Sequence, residues 1–296
     1  MNSVHIAVVS TVQVADQGYL ARVVAAIQAQ VQQELWPAWG NHGVPQATVM
    51  LYPSMTDAPD DAYFVLLVSD AHGLGGFHVP HPRPSDPPSY PRGIFAVVRY
   101  APGDTLWATN LSHEVLEMLV DPLGTRTQSG PAPNQPSIEA QYLMEVCDPC
   151  IALACRYARP GFSDVPLCDF CFPAYYGIES GGSFSRSGNI PSPLTIAPDG
   201  YQVFSAQGYG WWEISWNPQA PGNPNILSIP DPTLVNLAAR NLRGAVDRRR
   251  PYDGPHTELT LEERRNRGVR SMHQPRKFHR AARRAIAHAA SIGLVL

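Results

Sequence analysis

Long apolar runs and an N-terminal targeting signal are both missing from this 296-residue sequence. No apolar stretch approaches the roughly 20 residues that a helix needs to cross a bilayer, so we expect no transmembrane segment. The first residues, MNSVHIAVV, lack both a basic region and a small-residue cleavage site, so we expect no secretory signal. These absences predict a soluble cytoplasmic protein. They leave open export by a route without a cleaved signal and packaging into a larger particle.

Positive charge is scarce over most of the chain. Residues 1–239 contain 8 basic and 20 acidic residues, a net charge of −12, whereas residues 240–296 contain 14 basic and 5 acidic residues, a net charge of +9. The composition, with 44% hydrophobic and 16% charged residues, is that of a globular protein. We therefore predict a main domain over residues 1–232 and a basic, helical C-terminal extension over residues 233–296, with helices at 232–246 and 275–291.

The order of hydrophobic patterns predicts an α+β fold, in the form of an α/β layer. A helical pattern covers residues 16–39, and a long loop rich in Gly, Pro and His covers residues 70–93. Buried-strand patterns cover residues 4–12, 47–52, 62–68 and 94–100. This order predicts a mixed sheet with helices packed on it.

Two further regions complete the predicted domain. The long loop contains His72, His78 and His81, and loops of this length are often functional, so we expect it to form a wall of a cleft. After residue 180 the chain alternates turn residues with short β-like pieces, which predicts a hairpin-rich closing portion. These pieces cover residues 194–197, 201–205 and 211–216.

The chemistry concentrates in one predicted helix. Residues 105–120 contain no Gly or Pro, Asp104 is a plausible N-cap, and Pro122 cannot continue the helix. Apolar residues cover about two thirds of the circumference, which predicts a largely buried helix. His113, Glu117 and Asp121 follow each other at i, i+4 and i+8, so they share the remaining stripe.

Carboxylates at this spacing repel one another, and burying them unpaired is costly. A divalent cation removes the difficulty, with His113 and Glu117 as ligands and Glu114 acting on a metal-bound water. The alternative is an acidic face that is solvated or neutralised by Arg. The wide apolar arc and the presence of only eight Arg before residue 240 argue against that alternative.

A zinc site of this kind needs a third protein ligand. Glu145, an acid between apolar residues, and Asp121 at the helix end are the two candidates, and Glu145 is favoured.

Other residues near this site have candidate roles that the sequence leaves open. Asp148 could hold a ligand in place. The phenol of Tyr175 or Tyr176 could donate a hydrogen bond to an oxyanion, or could be an ordinary core side chain. The cysteines at 147–171 include two CxxC pairs, Cys147/Cys150 and Cys168/Cys171. Their spacing fits a second, structural zinc, disulfides or plain buried thiols.

The run HEVLE at residues 113–117 resembles the active helix of the zincin metallopeptidases, HExxH, with Glu117 in place of the second His. The longer HEVLEMLVDP, with the later EVCDPC and DFCFPAYYG, is similar to a group of uncharacterised bacterial proteins. Over residues 1–180 the resemblance implies a zincin-like mixed sheet around a central metal-binding helix. It also implies zinc at His113, Glu114 as general base and acid, and a downstream acidic ligand. The more anionic ligand set lowers the Lewis acidity of the metal.

Two functions therefore compete. The first is a metal-dependent hydrolase, a zinc metallopeptidase acting on a peptide or protein, with an amidase or deformylase as a variant of the same chemistry. The second is a non-catalytic binding or assembly protein of a particle or secretion apparatus. In that case the metal is structural, and the basic tail binds a protein partner or another copy of the chain rather than nucleic acid.

Overall fold

The computed structural model describes residues 3–71, 73–80, 91, 93–133, 135–206, 210–220 and 224–228. The two helices predicted in the C-terminal extension, and with them the whole of 233–296, lie outside these ranges, as do His72 and His81. Within the described ranges, no helix is both long enough and apolar enough to cross a membrane. This agrees with the expectation that the chain has no transmembrane segment.

The first sheet has five strands. They are β1 Ser3–Ser10, β2 Gln46–Tyr52, β3 Tyr63–Val68, β4 Gly76–Val79 and β5 Phe95–Arg99, in the spatial order β2-β1-β3-β5-β4. The first four strands in this order are parallel, and β4 is an antiparallel edge strand paired with β5. The prediction of an unbroken loop over residues 70–93 was wrong here. The four residues of β4 are too few to give a periodic signal between glycines and prolines.

Three helical segments accompany this sheet. Helix α1 (Gln17–Gln30) begins at Asp16, whose carboxylate accepts a hydrogen bond from Tyr19 N. It continues through a π-helical turn, Val31–Leu35, into the short α2 (Trp36–Trp39). Pro37 has no N–H to donate to the preceding turn, which accounts for the irregular stretch inside the predicted helix. Helix α3 (Leu106–Val120) follows β5.

The second sheet is antiparallel. Its strands are β6 Thr127–Ala132, β7 Gln135–Leu143, β10 Tyr201–Ala206, β11 Gly210–Ser215 and β12 Asn225–Ser228, and a separate hairpin joins β8 Tyr157–Arg159 to β9 Phe162–Leu167. The β-like piece predicted at residues 194–197 is not a strand. Leu194 has a φ of +55°, a left-handed value that a strand does not accommodate.

The helices and the two sheets enclose one main core. Alternate residues of the first sheet, such as Val8, Val65 and Val98, face α1 and α3, and the same cluster continues into the second sheet through Tyr142 and Phe204. A smaller apolar cluster covers the opposite face of the first sheet. The described part of the chain is therefore α+β with mixed sheets, as the sequence predicted, and α3 runs through its interior.

Candidate metal centre

Helix α3 holds the centre of the site. At the N-terminus the N-cap is Thr105 and not the predicted Asp104, although the Asp104 carboxylate accepts a hydrogen bond from Leu106 N at 2.8 Å. At the C-terminus the Arg126 guanidinium donates to Val120 O at 2.9 Å. Thirteen of its 15 residues are buried. Because the helix is covered on nearly every side, its polar stripe lies in the interior and not at a solvated surface.

The first group of metal-ligating side chains is His113, Glu117 and Asp148. His113 Nε2 lies 2.9 Å from Glu117 Oε2 and 3.4 Å from Asp148 Oδ1. The three residues are 4%, 0% and 1% exposed, respectively. One atom from each, a nitrogen and two carboxylate oxygens, lies within 4.8 Å of the other two, so a single cation can contact all three.

Asp148 lies beside α3 because the chain that follows β7 is hydrogen-bonded to this helix. Cys147 N donates a hydrogen bond to Glu117 Oε1 at 3.1 Å, and Asp148 begins a buried 3-10 turn, Asp148–Cys150. This bond leaves the other carboxylate oxygen of Glu117 directed at His113. The sequence signal for Asp148 was weak, since it is one acid among several beside the cysteines.

The opposite nitrogen of His113 faces thiols. His113 Nδ1 lies 3.7 Å from Cys168 Sγ, and Cys147 completes a second group of potential ligands within 4.8 Å. Burial lowers the pKa of His113, but the Glu117 carboxylate and Cys168 outweigh it and hold this pKa well above 6.5. A hydrogen bond from Cys147 lowers the pKa of Cys168 to about 7, against the effect of burial, with His113 acting in the same direction.

The cysteines associate in pairs. Cys147 is hydrogen-bonded to Cys168 and Cys150 to Cys171, and all five cysteines are free and buried. No group of potential ligands within the described ranges contains three cysteines, so the thiols are not gathered as in a four-cysteine ribbon. The structural zinc predicted at Cys147, Cys150, Cys168 and Cys171 stays a prediction.

A third group of potential ligands also includes Glu117. It consists of His78, Glu114 and Glu117, again with one atom of each within 4.8 Å of the others. His78 is on the edge strand β4, with Nδ1 3.5 Å from Glu114 Oε2 and Nε2 2.9 Å from the carbonyl oxygen of Asp121. The sequence placed His78 only in the wall of a cleft. Its contact with α3 depends on the pairing of β4 with β5, which local periodicity does not reveal.

Asp121 and Glu145, the two acids predicted as the third ligand, lie in different surroundings from Asp148. The carboxylate of Asp121 accepts hydrogen bonds from Thr125 N at 3.0 Å and Arg126 N at 2.8 Å and so closes the turn after α3. Glu145 is 1% exposed, and its backbone carbonyl accepts a hydrogen bond from the Tyr176 hydroxyl. Neither acid belongs to any of the three groups found among the described residues, so the geometry favours Asp148.

The two tyrosines lie in the core. Tyr175 donates its hydroxyl to Gln202 Oε1 at 3.2 Å, and Tyr176 donates to Glu145 O at 3.1 Å. Burial is the main cause that raises the pKa of both phenols well above 10. Both hydroxyls therefore have partners in the fold, and a role at an oxyanion stays a prediction.

The surroundings of the centre are closed. A surface cavity of about 370 Å³ lies beside the β6–β7 hairpin and is lined by Tyr142, Tyr176 and Leu194 among others, but by no residue of the three groups. The low exposure of His113, Glu114 and Glu117 indicates that these side chains are covered by protein.

No protein-family model matches this chain, and comparisons with curated proteins and with solved structures gave no significant match.

Proposed function

We propose that the protein binds a divalent metal ion through His113 Nε2, Glu117 and Asp148. With this ion bound, the protein acts as a metal-dependent hydrolase, most specifically a zinc metallopeptidase. The observation that carries this proposal is the convergence of one imidazole nitrogen and two carboxylate oxygens within 4.8 Å in the protein interior. Three protein ligands of this kind leave a fourth position of a tetrahedral zinc open, which is the arrangement of catalytic zinc sites.

The groups behind the ligands support this assignment. A histidine that binds a metal through one nitrogen usually donates the N–H of the other to a fixed acceptor. His113 has Cys168 Sγ at 3.7 Å from Nδ1, and Glu117 has Cys147 N on the oxygen that points away from the centre. Both ligands are therefore oriented before any ion binds.

The fold also supports the proposal. A zincin-like scaffold has an active helix on a mixed sheet, and here α3 packs on a mixed sheet whose antiparallel edge strand, β4, lies beside Glu114. Any Cβ at Gly76 of this strand would lie 2.8 Å from Glu114 Oε1, so the strand backbone closely approaches this carboxylate.

A bound divalent ion supplies Lewis acidity towards a carbonyl oxygen or a water molecule. Glu114, next to His113 in sequence and close to Glu117, has the chemistry to accept a proton from the attacking water and deliver it to the leaving amine. Removing a general base of this kind typically lowers the rate by 10²–10⁴-fold.

The test compares wild-type protein with Glu114→Gln and Asp148→Asn on a broad peptide library, together with elemental analysis of each. We expect Glu114→Gln to keep the metal and lose activity, and Asp148→Asn to lose both. Equal activity in wild type and Glu114→Gln, or inactivity of wild type with metal bound, would rule out the peptidase proposal.

Cobalt substitution shows which nitrogen of His113 faces the ion. An ion held by Glu117 and Asp148 gives a Co²⁺ spectrum without thiolate charge-transfer bands, whereas an ion held by Cys147 and Cys168 gives such bands in the near ultraviolet. The variant Cys168→Ser, which keeps a hydrogen-bonding group beside Nδ1, is the matched control. It abolishes the bands only if the thiols are ligands.

The enclosure of the centre favours a second candidate, a binding or assembly protein with a structural metal. His113, Glu117 and Asp148 are at most 4% exposed, and a structural ion is normally closed off by its ligands. The contacts would then be made by the basic region after residue 240. Under this alternative, deletion of residues 247–296 abolishes assembly, whereas Glu114→Gln changes nothing measurable.

A further inference from the structure

The two ring nitrogens of His78 have different surroundings within the described part of the chain. The side chain is 0% exposed, and Nδ1 has no hydrogen-bond partner there. The other nitrogen, Nε2, lies 2.9 Å from the carbonyl oxygen of Asp121. Because a carbonyl oxygen only accepts hydrogen bonds, Nε2 carries the hydrogen, and in the neutral ring Nδ1 presents a lone pair.

This lone pair faces carboxylates. Nδ1 is 3.5 Å from Glu114 Oε2. One ligand atom of each of His78, Glu114 and Glu117 lies within 4.8 Å of the other two. Acceptors that face one another in a buried site repel, and a cation between them removes the repulsion. An imidazole whose second nitrogen donates to a backbone carbonyl is the usual form of a histidine that binds a metal.

The position of β4 makes this contact specific. Gly76 brings the strand backbone against Glu114, and two residues later His78 projects from the same face of the strand. The antiparallel pairing of Gly76 with Val98 and of His78 with Ala96 sets the register of both residues against β5, on which α3 packs. A register shift by one residue would turn the imidazole away from the helix.

We propose that His78 Nδ1, Glu114 and Glu117 form a second divalent-cation site, and that Glu117 is shared between this site and the centre at His113. The inference rests on the proposed function, because it takes Glu117 as a ligand of the first ion. Ions that share a carboxylate lie about 3.5–4 Å apart in two-metal sites. If one Glu114 oxygen binds the second ion, only the other oxygen can accept a proton, so the proposed hydrolysis uses that oxygen or the singly loaded protein.

The experiment counts ions in the full-length protein. Protein stripped with a chelator is titrated with Zn²⁺ by calorimetry and with Mn²⁺ by electron paramagnetic resonance, which detects coupling between two neighbouring ions. The test variant is His78→Gln, whose amide can keep the hydrogen bond to Asp121 O while the Nδ1 ligand is lost. His42→Gln, at a partly exposed histidine paired with Glu179, is the control, and His113→Ala removes the first centre.

We expect two equivalents and a coupled Mn²⁺ spectrum for wild type and His42→Gln, and one equivalent without coupling for His78→Gln. One equivalent in both wild type and His78→Gln overturns the second site but leaves the first. Two equivalents in both wild type and His78→Gln would mean that the second ion binds elsewhere, for example at the cysteines. This result also overturns the second site. Binding that His113→Ala does not reduce overturns the proposed centre itself.

Discussion

Replacement of Gly76 by Ala tests whether β4 presses against α3 as the structure shows. A Cβ at this position would lie 2.8 Å from Glu114 Oε1, 2.9 Å from Glu114 Cγ and 3.1 Å from the backbone oxygen of Val97. The first two distances are shorter than real Cβ contacts. Glu114 is 2% exposed on a buried helix, and the carbonyl belongs to β5, so neither neighbour can move freely.

The magnitude follows from two opposing effects. Gly76 is half-buried but closely packed, and overpacking such a position typically costs about 1–3 kcal/mol. Gly76 has no positive φ, so alanine adds no backbone strain and regains about 0.4–1 kcal/mol by restricting the unfolded chain. We therefore expect a net loss of about 1–2 kcal/mol in the free energy of unfolding, with weaker metal binding because Glu114 is displaced.

Urea unfolding of the chelator-treated protein measures this loss without a contribution from bound metal. Gly18→Ala is the matched control, because Gly18 lies in the first turn of α1 and its nearest neighbour is the side-chain oxygen of Asp16 at 3.3 Å. Its stability should stay the same or rise slightly. An unfolding midpoint for Gly76→Ala equal to that of wild type would refute the close contact between β4 and Glu114.

Further substitutions separate structural acids from ligands. Asp121→Ala leaves two backbone amides without their acceptor and should cost about 1–3 kcal/mol while metal content stays unchanged; metal loss would make Asp121 a ligand. Burial raises the pKa of Asp169 to about 6, above its unfolded value of 3.8, so stability should fall as pH rises from about 4 to about 6, by at most about 3 kcal/mol. Asp169→Asn should flatten this pH dependence in urea unfolding, and an unchanged slope would refute the assignment.

The helix at the centre of the site was accessible from sequence because its signals are local. The absence of Gly and Pro and the stop at Pro122 depend on neighbouring residues alone, and α3 forms with nearly the predicted bounds, although its N-cap is Thr105 and not Asp104. The same holds for the strands of the parallel part of the first sheet, whose continuous apolar runs are typical of strands buried on both faces.

The edge strand and the β6–β7 hairpin show where local signals fail, whereas the pieces predicted at residues 201–205 and 211–216 form β10 and β11. Strand β4 is four residues long and lies in a segment rich in Gly and Pro, and the β6–β7 hairpin carries polar side chains on both faces at its exposed end. Neither segment has the alternation that identifies a strand. Strand β4 is held by pairing with β5, and the hairpin is held by pairing between its own strands and with β10.

That His113, Glu114 and Glu117 lie on one buried helix could be predicted from sequence, since spacing along a helix fixes which side chains are neighbours. Which residues face them depends on tertiary packing. Asp148 comes from the chain after β7, 31 residues beyond Glu117, and His78 comes from an edge strand that precedes the helix. Such contacts depend on sheet register and on the packing of separate segments, and no periodicity in the sequence records them.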